Sequence, residues 1–428
     1  MKMHKSLSAV AALLAAGLIA AGCQSGPRSG DASAGGAGTD TSKCPAGATT
    51  ALADGAAIEV GTIAPLSGAA ANGARYSQGM KVYFDKVNAE DGGVGGHKLQ
   101  LEAKDDQYDP TKTVPQATAL INESRVLAMV GQVGSANVKA VQQLVERSCT
   151  PQLSVMAGGF GDPATHAWTT SGLPTYSVEA AAWVKYMADQ KPGASIAFLG
   201  YDNDLGSIYL NLLQSQAKRA GLNLVTTQKF ALAATNTDSQ ISAILAADPD
   251  FVVGVWGPDC GKFNSALRQG GYQGQILAVS YCAESALMKS AGAAADGMVF
   301  ATSYRDPTNP ANAENPDVTQ YLADLAKYGN GATVSSATLV GYRIAKLFAD
   351  TVRAAAKLPG GLTRVNVMNA AWHLDRPLFA SYCGSSKTNG AADPFGDECM
   401  AILRYHPNAA VSEIGTFDGE GQAVKLSS

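Results

Sequence analysis

The fold of this chain is constrained above all by its alternation between short apolar runs and longer segments with helical periodicity. Residues 58–156 contain four predicted strands separated by three predicted helices. The strands are 58–64, 98–103, 126–130 and 152–156, and the helices are 74–88, 115–123 and 138–146. Because strands joined through helices run parallel with right-handed crossovers, this order predicts a parallel sheet covered on both faces.

The same alternation begins again at residue 194, after an irregular stretch at 158–175. The predicted elements are strands at 194–200, 222–227, 251–256 and 275–279, helices at 205–220, 239–247 and 261–270, later helices at 318–328 and 335–356, and closing strands at 401–405 and 413–417. A chain of 428 residues, 46% of them hydrophobic, can build two cores. We therefore predict two α/β lobes, each with its own sheet.

Four turns follow predicted strands at their carboxyl ends, where open parallel sheets bind ligands. They are residues 65–68, 131–137, 201–203 and 256–259. Because these loops come from both sheets, they can face one cleft, which is typical of a two-lobed receptor that closes on its ligand.

The turn at 131–137, GQVGSAN, joins a buried strand to a helix that Ser135 or Asn137 is predicted to cap. The first N–H groups of a helix lack partners within it, and glycines allow a ligand to approach the backbone closely. A carboxylate would therefore bind well here. The alternative is an ordinary capped turn that binds nothing.

The N-terminus predicts export and lipid attachment. Lys2 and Lys5 precede an apolar run at 7–21 that is too short to span a membrane, and the sequence LIAAGC at 18–23 resembles a bacterial lipobox. We expect residues 1–22 to be removed, Cys23 to carry lipid on the outer face of the cell membrane, and residues 23–57 to form a flexible tether. The alternative is an ordinary signal peptide with a chance cysteine.

With Cys23 assigned to lipid, six cysteines remain, an even number that suggests disulfides in an exported chain. The short-loop choices are Cys383 with Cys399 and Cys260 with Cys282, which leaves Cys44 with Cys149. A zinc site is the weaker alternative, because the chain has no C-x-x-C and its five histidines are scattered. We predict no metal and no cofactor. A net charge of −4 gives no basic excess for nucleic acid.

Several motifs together resemble the leucine/isoleucine/valine-binding group of type I periplasmic binding proteins. They are GTIAPLSG at 61–68, DDQYDP at 105–110, the turn at 131–137 and YDNDLG at 201–206. The resemblance covers about residues 58–350. It implies two Rossmann-like lobes joined by a three-segment hinge. We predict that the first lobe consists of residues 58–176 and 302–357, and the second of residues 177–301 and 358–428.

The resemblance also implies the ligand-binding residues of the first lobe. Ser135, with the N–H of Ala136 or Asn137, would take the ligand carboxylate, helped by the loop Met156, Ala157 and Gly158. Gly158 lacks the hydroxyl that the family places there. Asn72 would reach the same pocket, although an exposed turn asparagine is the alternative.

In the second lobe the family's tyrosine position is Leu205, its aromatic position is Trp256 and its acidic position is Tyr281. Without an acid at Tyr281, Asp202 or Glu284 would have to pair with a ligand ammonium group, since a desolvated ammonium without a counter-charge is unfavourable. Trp256 and Tyr281 could instead stack on an aromatic or apolar acid. The alternative is that both simply pack in the core or the cleft wall.

These observations predict a monomeric, non-enzymatic solute-binding lipoprotein that hands a small carboxylated solute to an ABC permease in the membrane. The solute would be an amino acid or a related apolar or aromatic acid or amide. A sensory receptor of the same fold is the first alternative. A two-lobed hydrolase is the second, although the sequence contains no G-x-S-x-G or H-E-x-x-H motif.

Overall fold

The computed structural model describes residues 40–158, 160, 162–172, 174–256, 260–284, 288–406 and 411–419. The predicted signal peptide, Cys23 and the predicted tether up to residue 39 lie outside these ranges, as do residues 257–259 of the fourth predicted turn.

In the described part of the chain, the first sheet contains five parallel strands. Their bounds are β1 Ile58–Ala64, β2 Leu99–Asp105, β3 Ala128–Val130, β4 Gln152–Val155 and β5 Thr169–Ser171. The spatial order is β2-β1-β3-β4-β5, and each neighbouring pair is parallel, as predicted. β5 was not predicted, because it is three residues long and lies in a polar stretch without the period of a strand.

Three helices connect these strands: α1 Ala74–Glu90, α2 Pro110–Asn122 and α3 Ser135–Ser148. α2 begins five residues before its predicted start, because Asp109 caps it by accepting the N–H of Thr111 and a proline fills its first position. The prediction that Ser135 or Asn137 caps α3 was wrong. The N-cap is Gly134, with φ of 100°, and no side chain caps this helix.

The second sheet begins after a helix that the sequence did not predict, α4 Tyr176–Gln190. Strands β6 Ser195–Tyr201, β7 Asn223–Phe230, β8 Phe251–Val255, β9 Gln275–Ala278 and β10 Val299–Thr302 alternate with helices α5 Asp204–Arg219, α6 Asp238–Ala247 and α7 Cys260–Gln269. These five strands are parallel in the order β10-β9-β8-β6-β7. β10 was not predicted either.

Three further helices and four strands complete the described chain. They are α8 Pro316–Tyr328, α9 Ser336–Ala355, α10 Arg364–Ala371, β11 Asp375–Pro377, β12 Ser385–Lys387, β13 Cys399–Arg404 and β14 Ser412–Asp418. β13 pairs with β10 and β14 pairs with β13, both antiparallel, so these two strands extend the second sheet. β11 and β12 form a separate antiparallel pair. Short 3₁₀ helices lie at Ala46–Ala48, Ala71–Gly73, Ser280–Ala283, Lys289–Ala295 and Pro310–Asn312.

Two large hydrophobic cores form around the two sheets, within one compact unit of the chain. The chain passes from one core to the other three times. The passages lie between Trp168 in the first core and Val178 in the second, between Ala301 in the second and Tyr304 in the first, and between Ala380 in the first and Met400 in the second. The fold is therefore that of two parallel-sheet lobes joined by three segments, as predicted.

The packing corrects the third predicted boundary, the one after residue 357. Val367 and Trp372, from α10 and its C-terminal end, belong to the first core, and the indole Nε1 of Trp372 donates to the carbonyl oxygen of Ala167 at 3.0 Å. The guanidinium group of Arg364 donates to the carbonyl oxygen of Val126 at 2.7 Å. The third passage therefore lies between residues 380 and 400.

The predicted tether also ends earlier than residue 57. Cys44 is bonded to Cys149, Ala48 is fully buried, and the N–H of Leu52 donates to the carbonyl oxygen of Leu362 at 2.8 Å. Residues 44–57 therefore pack on the first core. The other two disulfides, Cys260–Cys282 and Cys383–Cys399, also pair as predicted.

Candidate functional site

A cavity of about 260 Å³ lies where the carboxyl ends of the two parallel sheets face each other. From the first lobe its wall includes Gly134 after β3 and Met156 after β4. From the second lobe it includes Tyr201 at the end of β6, and Tyr281 after β9. This is where parallel sheets bind ligands, and both lobes contribute.

Several helices begin at the cavity wall. The N-caps of α1 and α3, Gly73 and Gly134, line it, as do Tyr176 at the start of α4 and Ser336 at the start of α9. At α1, α3 and α4 no side chain forms an N-cap hydrogen bond. The N–H of Ala74 in α1 donates to the carbonyl oxygens of Ala71 and Asn72. The first N–H groups of α3 and α4 and the positive ends of the helix dipoles give this region a preference for anions.

Tyrosine is the dominant residue of the wall. Seven tyrosines line the cavity: Tyr76, Tyr108, Tyr176, Tyr201, Tyr209, Tyr281 and Tyr304. The rings of Tyr176 and Tyr209 stack with centroids 4.5 Å apart, and Tyr209 also stacks on the buried Trp183 at 5.3 Å. Burial raises the pKa of both Tyr76 and Tyr108 to about 12, so these phenols stay neutral donors at physiological pH.

One arginine and one glutamate face each other in the cavity wall. The Nη1 of Arg75 in α1 lies 4.0 Å from Oε1 of Glu284, and Oε2 of Glu284 accepts the N–H of Ser336 at 3.2 Å. Burial and the nearby Asp306 raise the pKa of Glu284 to about 6, against the opposite effects of Ser336 and Arg75. Because Glu284 follows β9 and its partners belong to helices of the first lobe, this carboxylate links the two lobes.

A second glutamate, Glu179 in α4, lies behind the wall. Its carboxylate accepts hydrogen bonds from the hydroxyl of Tyr209 and from the N–H of Ser280, both of which belong to cavity-lining residues. Burial raises the pKa of Glu179 to about 8, although the hydrogen bonds from Tyr209 and from the N–H and side chain of Ser280 act in the opposite direction. Sequence reasoning missed this residue because no element was predicted at 177–190.

Four of the predicted binding residues line the cavity: Asn72, Met156, Ala157 and Tyr281. Asn72 is exposed, in the 3₁₀ helix before α1. The hydroxyl oxygen of Tyr281 is buried and has no hydrogen-bond partner among the described residues. The structure therefore brings together predicted residues from both lobes in one cavity.

Three other predicted residues, Ser135, Ala136 and Gly158, lie next to the wall without lining it. The Oγ of Ser135 accepts the N–H of Gly158 at 3.1 Å and also forms a hydrogen bond with Tyr176. A Cβ built on Gly158 would lie 2.1 Å from the ring of Tyr176. Ser135 and Gly158 therefore support Tyr176, and this ring takes the space that a side chain at 158 would need.

The structure places Asp202 and Trp256 away from the cavity wall. The side chain of Asp202 is 68% exposed, and its Oδ1 lies 3.6 Å from Nζ of Lys229. Trp256 is fully buried in the second core, where its ring stacks on Phe263 with centroids 5.1 Å apart. Trp256 is therefore a core residue, which is the alternative stated for it in the sequence analysis.

Within the described ranges, no group of three or more His, Cys, Asp or Glu side chains could hold a metal ion. No helix of that part of the chain has both the length and the apolarity needed to cross a bilayer.

The sequence profile of the periplasmic binding protein family matches residues 57–410, which cover both lobes and the cavity. The chain belongs to this family. Within it, the relatives place the chain in the leucine/isoleucine/valine-binding group, since they are named for binding leucine or leucine, isoleucine and valine.

A relative of this periplasmic binding protein is the leucine-specific-binding protein of Salmonella typhimurium. The two are 24% identical over 262 residues, which cover 60% of this chain and 69% of the relative.

Two solved structures share the fold. A possible leucine/isoleucine/valine-binding protein from Rhodopirellula baltica has a TM-score of 0.72 and 20% identity, covering 85% of this chain and 98% of that one. A fatty acid ABC transporter substrate-binding protein from Thermomonospora curvata has a TM-score of 0.74 and 21% identity, covering 88% and 97%.

Proposed function

We propose that this protein is an extracytoplasmic lipoprotein that captures a small carboxylated solute between its lobes and delivers it to an ABC importer. The observation that carries the proposal is the cavity whose wall comes from both lobes. A solute held there contacts both lobes at once, so binding favours the closed state, which a membrane permease can recognise. We also propose that the protein acts as a monomer.

The carboxylate part of the proposal is supported by the charge distribution of the cavity. The N-termini of α3 and α4, which no side chain caps, lie at its wall, and Arg75 adds a cation there. Glu284 could hold an ammonium group close by, as an amino acid would require. We assign Asn72, Met156, Ala157 and Tyr281 as solute contacts, with Ser135, Ala136 and Gly158 supporting them.

The body of the solute would be apolar or aromatic. Tyrosine rings and aliphatic side chains such as Leu205 and Val340 form most of the wall. At about 260 Å³ the cavity is slightly smaller than a typical drug-binding site, so the solute is a small molecule. The matched relative is named for leucine and a structural neighbour for fatty acids, both of which are apolar carboxylates.

Thermal-shift measurements with matched acids and amides would test this proposal. L-leucine, L-phenylalanine and benzoate would be compared with L-leucinamide, L-phenylalaninamide and benzamide, and hits measured by calorimetry. We expect at least one carboxylate to raise Tm by more than its amide, since a ligand that binds only the folded state stabilises it. Equal shifts by acid and amide would contradict the carboxylate proposal, and no shift by any compound would contradict solute binding in these classes.

Arg75 provides a sharper test at the level of one side chain. Arg75→Gln should weaken carboxylate binding about tenfold while leaving Tm of the free protein nearly unchanged, because its side chain is one-third exposed. Arg353→Gln is the matched control, since Arg353 has similar exposure and does not line the cavity. Unchanged affinity in Arg75→Gln would remove Arg75 from the site.

The lipid anchor is proposed from the lipobox-like sequence that ends at Cys23. Cys23→Ala should release the protein from the membrane into the medium or soluble fraction, measured by fractionation and metabolic lipid labelling. Continued membrane retention of this variant, together with an unlabelled wild-type protein, would contradict the anchor.

A further inference from the structure

Glu179 lies behind the cavity wall and forms hydrogen bonds to two residues that line it. It lies in the first turn of α4 and is 2% exposed. Its Oε2 accepts a hydrogen bond from the hydroxyl of Tyr209 in α5, and its Oε1 accepts the N–H of Ser280 at 2.6 Å. Tyr209 and Ser280 both line the cavity. A single buried carboxyl group therefore positions a ring from α5 and the turn that carries Tyr281.

The surroundings of Glu179 contain phenols but no cation. Its charge acts on Tyr176 in α4, Tyr209 in α5, Tyr281 after β9 and Tyr304 after β10. No lysine or arginine of the described chain contributes to the pKa of Glu179. A carboxylate buried without a counter-charge is costly, and such a group usually takes up a proton instead.

We propose that Glu179 is protonated when the solute binds and thereby makes Tyr209 a hydrogen-bond donor to the solute carboxylate. This inference rests on the proposed function. An ionised Glu179 can only accept, so the single proton of the Tyr209 hydroxyl must point toward it. A neutral Glu179 donates its own O–H to Oη of Tyr209, and the Tyr209 proton can then point to a ligand oxygen.

Tyr281 supports this arrangement independently. Tyr281 lines the same cavity, and its buried hydroxyl group has no hydrogen-bond partner among the described residues. Leaving a buried donor unpaired costs about 1–3 kcal/mol, so the hydroxyl needs an acceptor. A carboxylate has two oxygens and can accept from both Tyr209 and Tyr281.

The proton on Glu179 links solute affinity to pH. As pH rises through the pKa of Glu179, about 8, the Tyr209 proton turns back to Glu179 and a negative charge appears near the solute carboxylate. Affinity therefore falls above that pH. Glu284, whose pKa is about 6, titrates in a separate step at lower pH, so Glu284→Gln removes only the lower step.

Infrared difference spectroscopy of the ligand-free protein tests the protonation state directly. Between about pH 7 and about pH 10, above the step of Glu284 near pH 6, wild type should lose the carbonyl band of a buried carboxylic acid, and Glu179→Gln should lack that change. Glu146→Gln is the matched control, because burial also raises the pKa of Glu146, which accepts the N–H of Trp168 outside the cavity. Absence of the change in wild type, or its persistence in Glu179→Gln, would overturn the inference.

The donor role of Tyr209 is tested by affinity measurements with the carboxylate that the comparison of acids and amides identifies. The amide of Glu179→Gln still donates to Tyr209 and still accepts from Ser280. This variant should therefore bind the solute with the same affinity at pH 7 and at pH 9, whereas wild type loses about tenfold over that range.

Tyr209→Phe removes the proposed donor itself. We expect about tenfold weaker binding at pH 7 and a smaller fall at higher pH than in wild type, because only the charge of Glu179 then opposes the solute carboxylate. Tyr272→Phe is the control, because the Tyr272 hydroxyl donates to the carbonyl oxygen of Gln275 and lies outside the cavity wall.

The outcomes separate this inference from the proposed function. If no carboxylate stabilises wild type, the proposed function fails and this inference fails with it. If a carboxylate binds wild type but Tyr209→Phe binds equally well, or Glu179→Gln keeps the wild-type fall above pH 7, only the inference is overturned.

Discussion

At the scale of single residues, the site depends on where Tyr176 can lie. The resemblance to the family drew attention to the hydroxyl missing at Gly158. In the structure this glycine leaves room for the ring of Tyr176, and Ser135 bonds to both residues. The departure from the family pattern therefore has a steric reason, which no local feature of the sequence discloses.

Gly158→Ala should displace the Tyr176 ring, because the new Cβ would lie 2.1 Å from it. We expect a loss of about 1–3 kcal/mol in the free energy of unfolding and weaker carboxylate binding, measured by urea denaturation and calorimetry. Gly415→Ala is the control, since a Cβ there meets nothing within 4 Å. An unchanged affinity in Gly158→Ala would show that the Tyr176 ring position is unimportant for binding.

At the scale of elements, α1 and α9 cross in close contact at two glycines. A Cβ on Gly79 would lie 1.9 Å from the carbonyl oxygen of Thr338, and a Cβ on Gly341 would lie 2.0 Å from that of Tyr76. Both helices begin at the cavity, so this close crossing sets the distance between Arg75 and the N-terminus of α9.

Gly341→Ala should push the two helices apart, even though alanine has the higher intrinsic helix propensity. We expect the free energy of unfolding to fall by about 1–3 kcal/mol or more, and solute affinity to fall with it. Urea denaturation measures the first and calorimetry the second. Gly47→Ala, at a position with open space, is the control. A stability equal to or above that of wild type would contradict the close crossing.

At the scale of the whole molecule, contacts between the lobes and covalent links within the chain hold the fold together. Glu284 joins the second lobe to α9, and the hydroxyl of Tyr304 donates to the carbonyl oxygen of Ser280 at 3.1 Å. Cys44–Cys149 closes a segment with a sequence separation of 105, whereas Cys383–Cys399 closes one of 16 near the third passage between the cores.

The raised pKa of Glu284 makes stability depend on pH. A group whose pKa is higher in the folded protein stabilises it at low pH, and that contribution is lost as pH rises through the folded value, here about 6. Relative to Glu284→Gln, wild type should therefore lose about 1–2 kcal/mol between about pH 4 and about pH 7. Urea denaturation across this range measures the difference, with the exposed Glu314→Gln as control. A difference that is constant with pH would contradict the prediction.

The disulfides that close the longest and the shortest loop should differ in their effect on stability. Because a longer loop loses more entropy on closure in the unfolded chain, replacing Cys44 and Cys149 by alanine should cost about 4–5 kcal/mol. The same replacement at Cys383 and Cys399 should cost about 3 kcal/mol. Urea denaturation under oxidising conditions measures both, and a larger cost at the short loop would contradict this order.

The sequence by itself determined the class of fold, because hydrophobic periodicity is a local property. The alternation of strands and helices from residue 58 and the motifs at 61–68 and 131–137 identified two parallel-sheet lobes with loops at one edge. Elements without a strong period, such as β5 and α4, were missed. Of the site, the sequence found Asn72, Met156, Ala157 and Tyr281, which lie in segments that follow strands of the two sheets.

Only the tertiary structure decided which other side chains meet at the cavity. Arg75, Glu179 and Tyr209 are far apart in the sequence, and each lies on a helix whose facing surface depends on how that helix packs. The structure likewise placed Trp256 in the core and Asp202 in solvent. Burial, charge pairing and close approach are properties of several segments at once, so they become defined only when those segments are packed together.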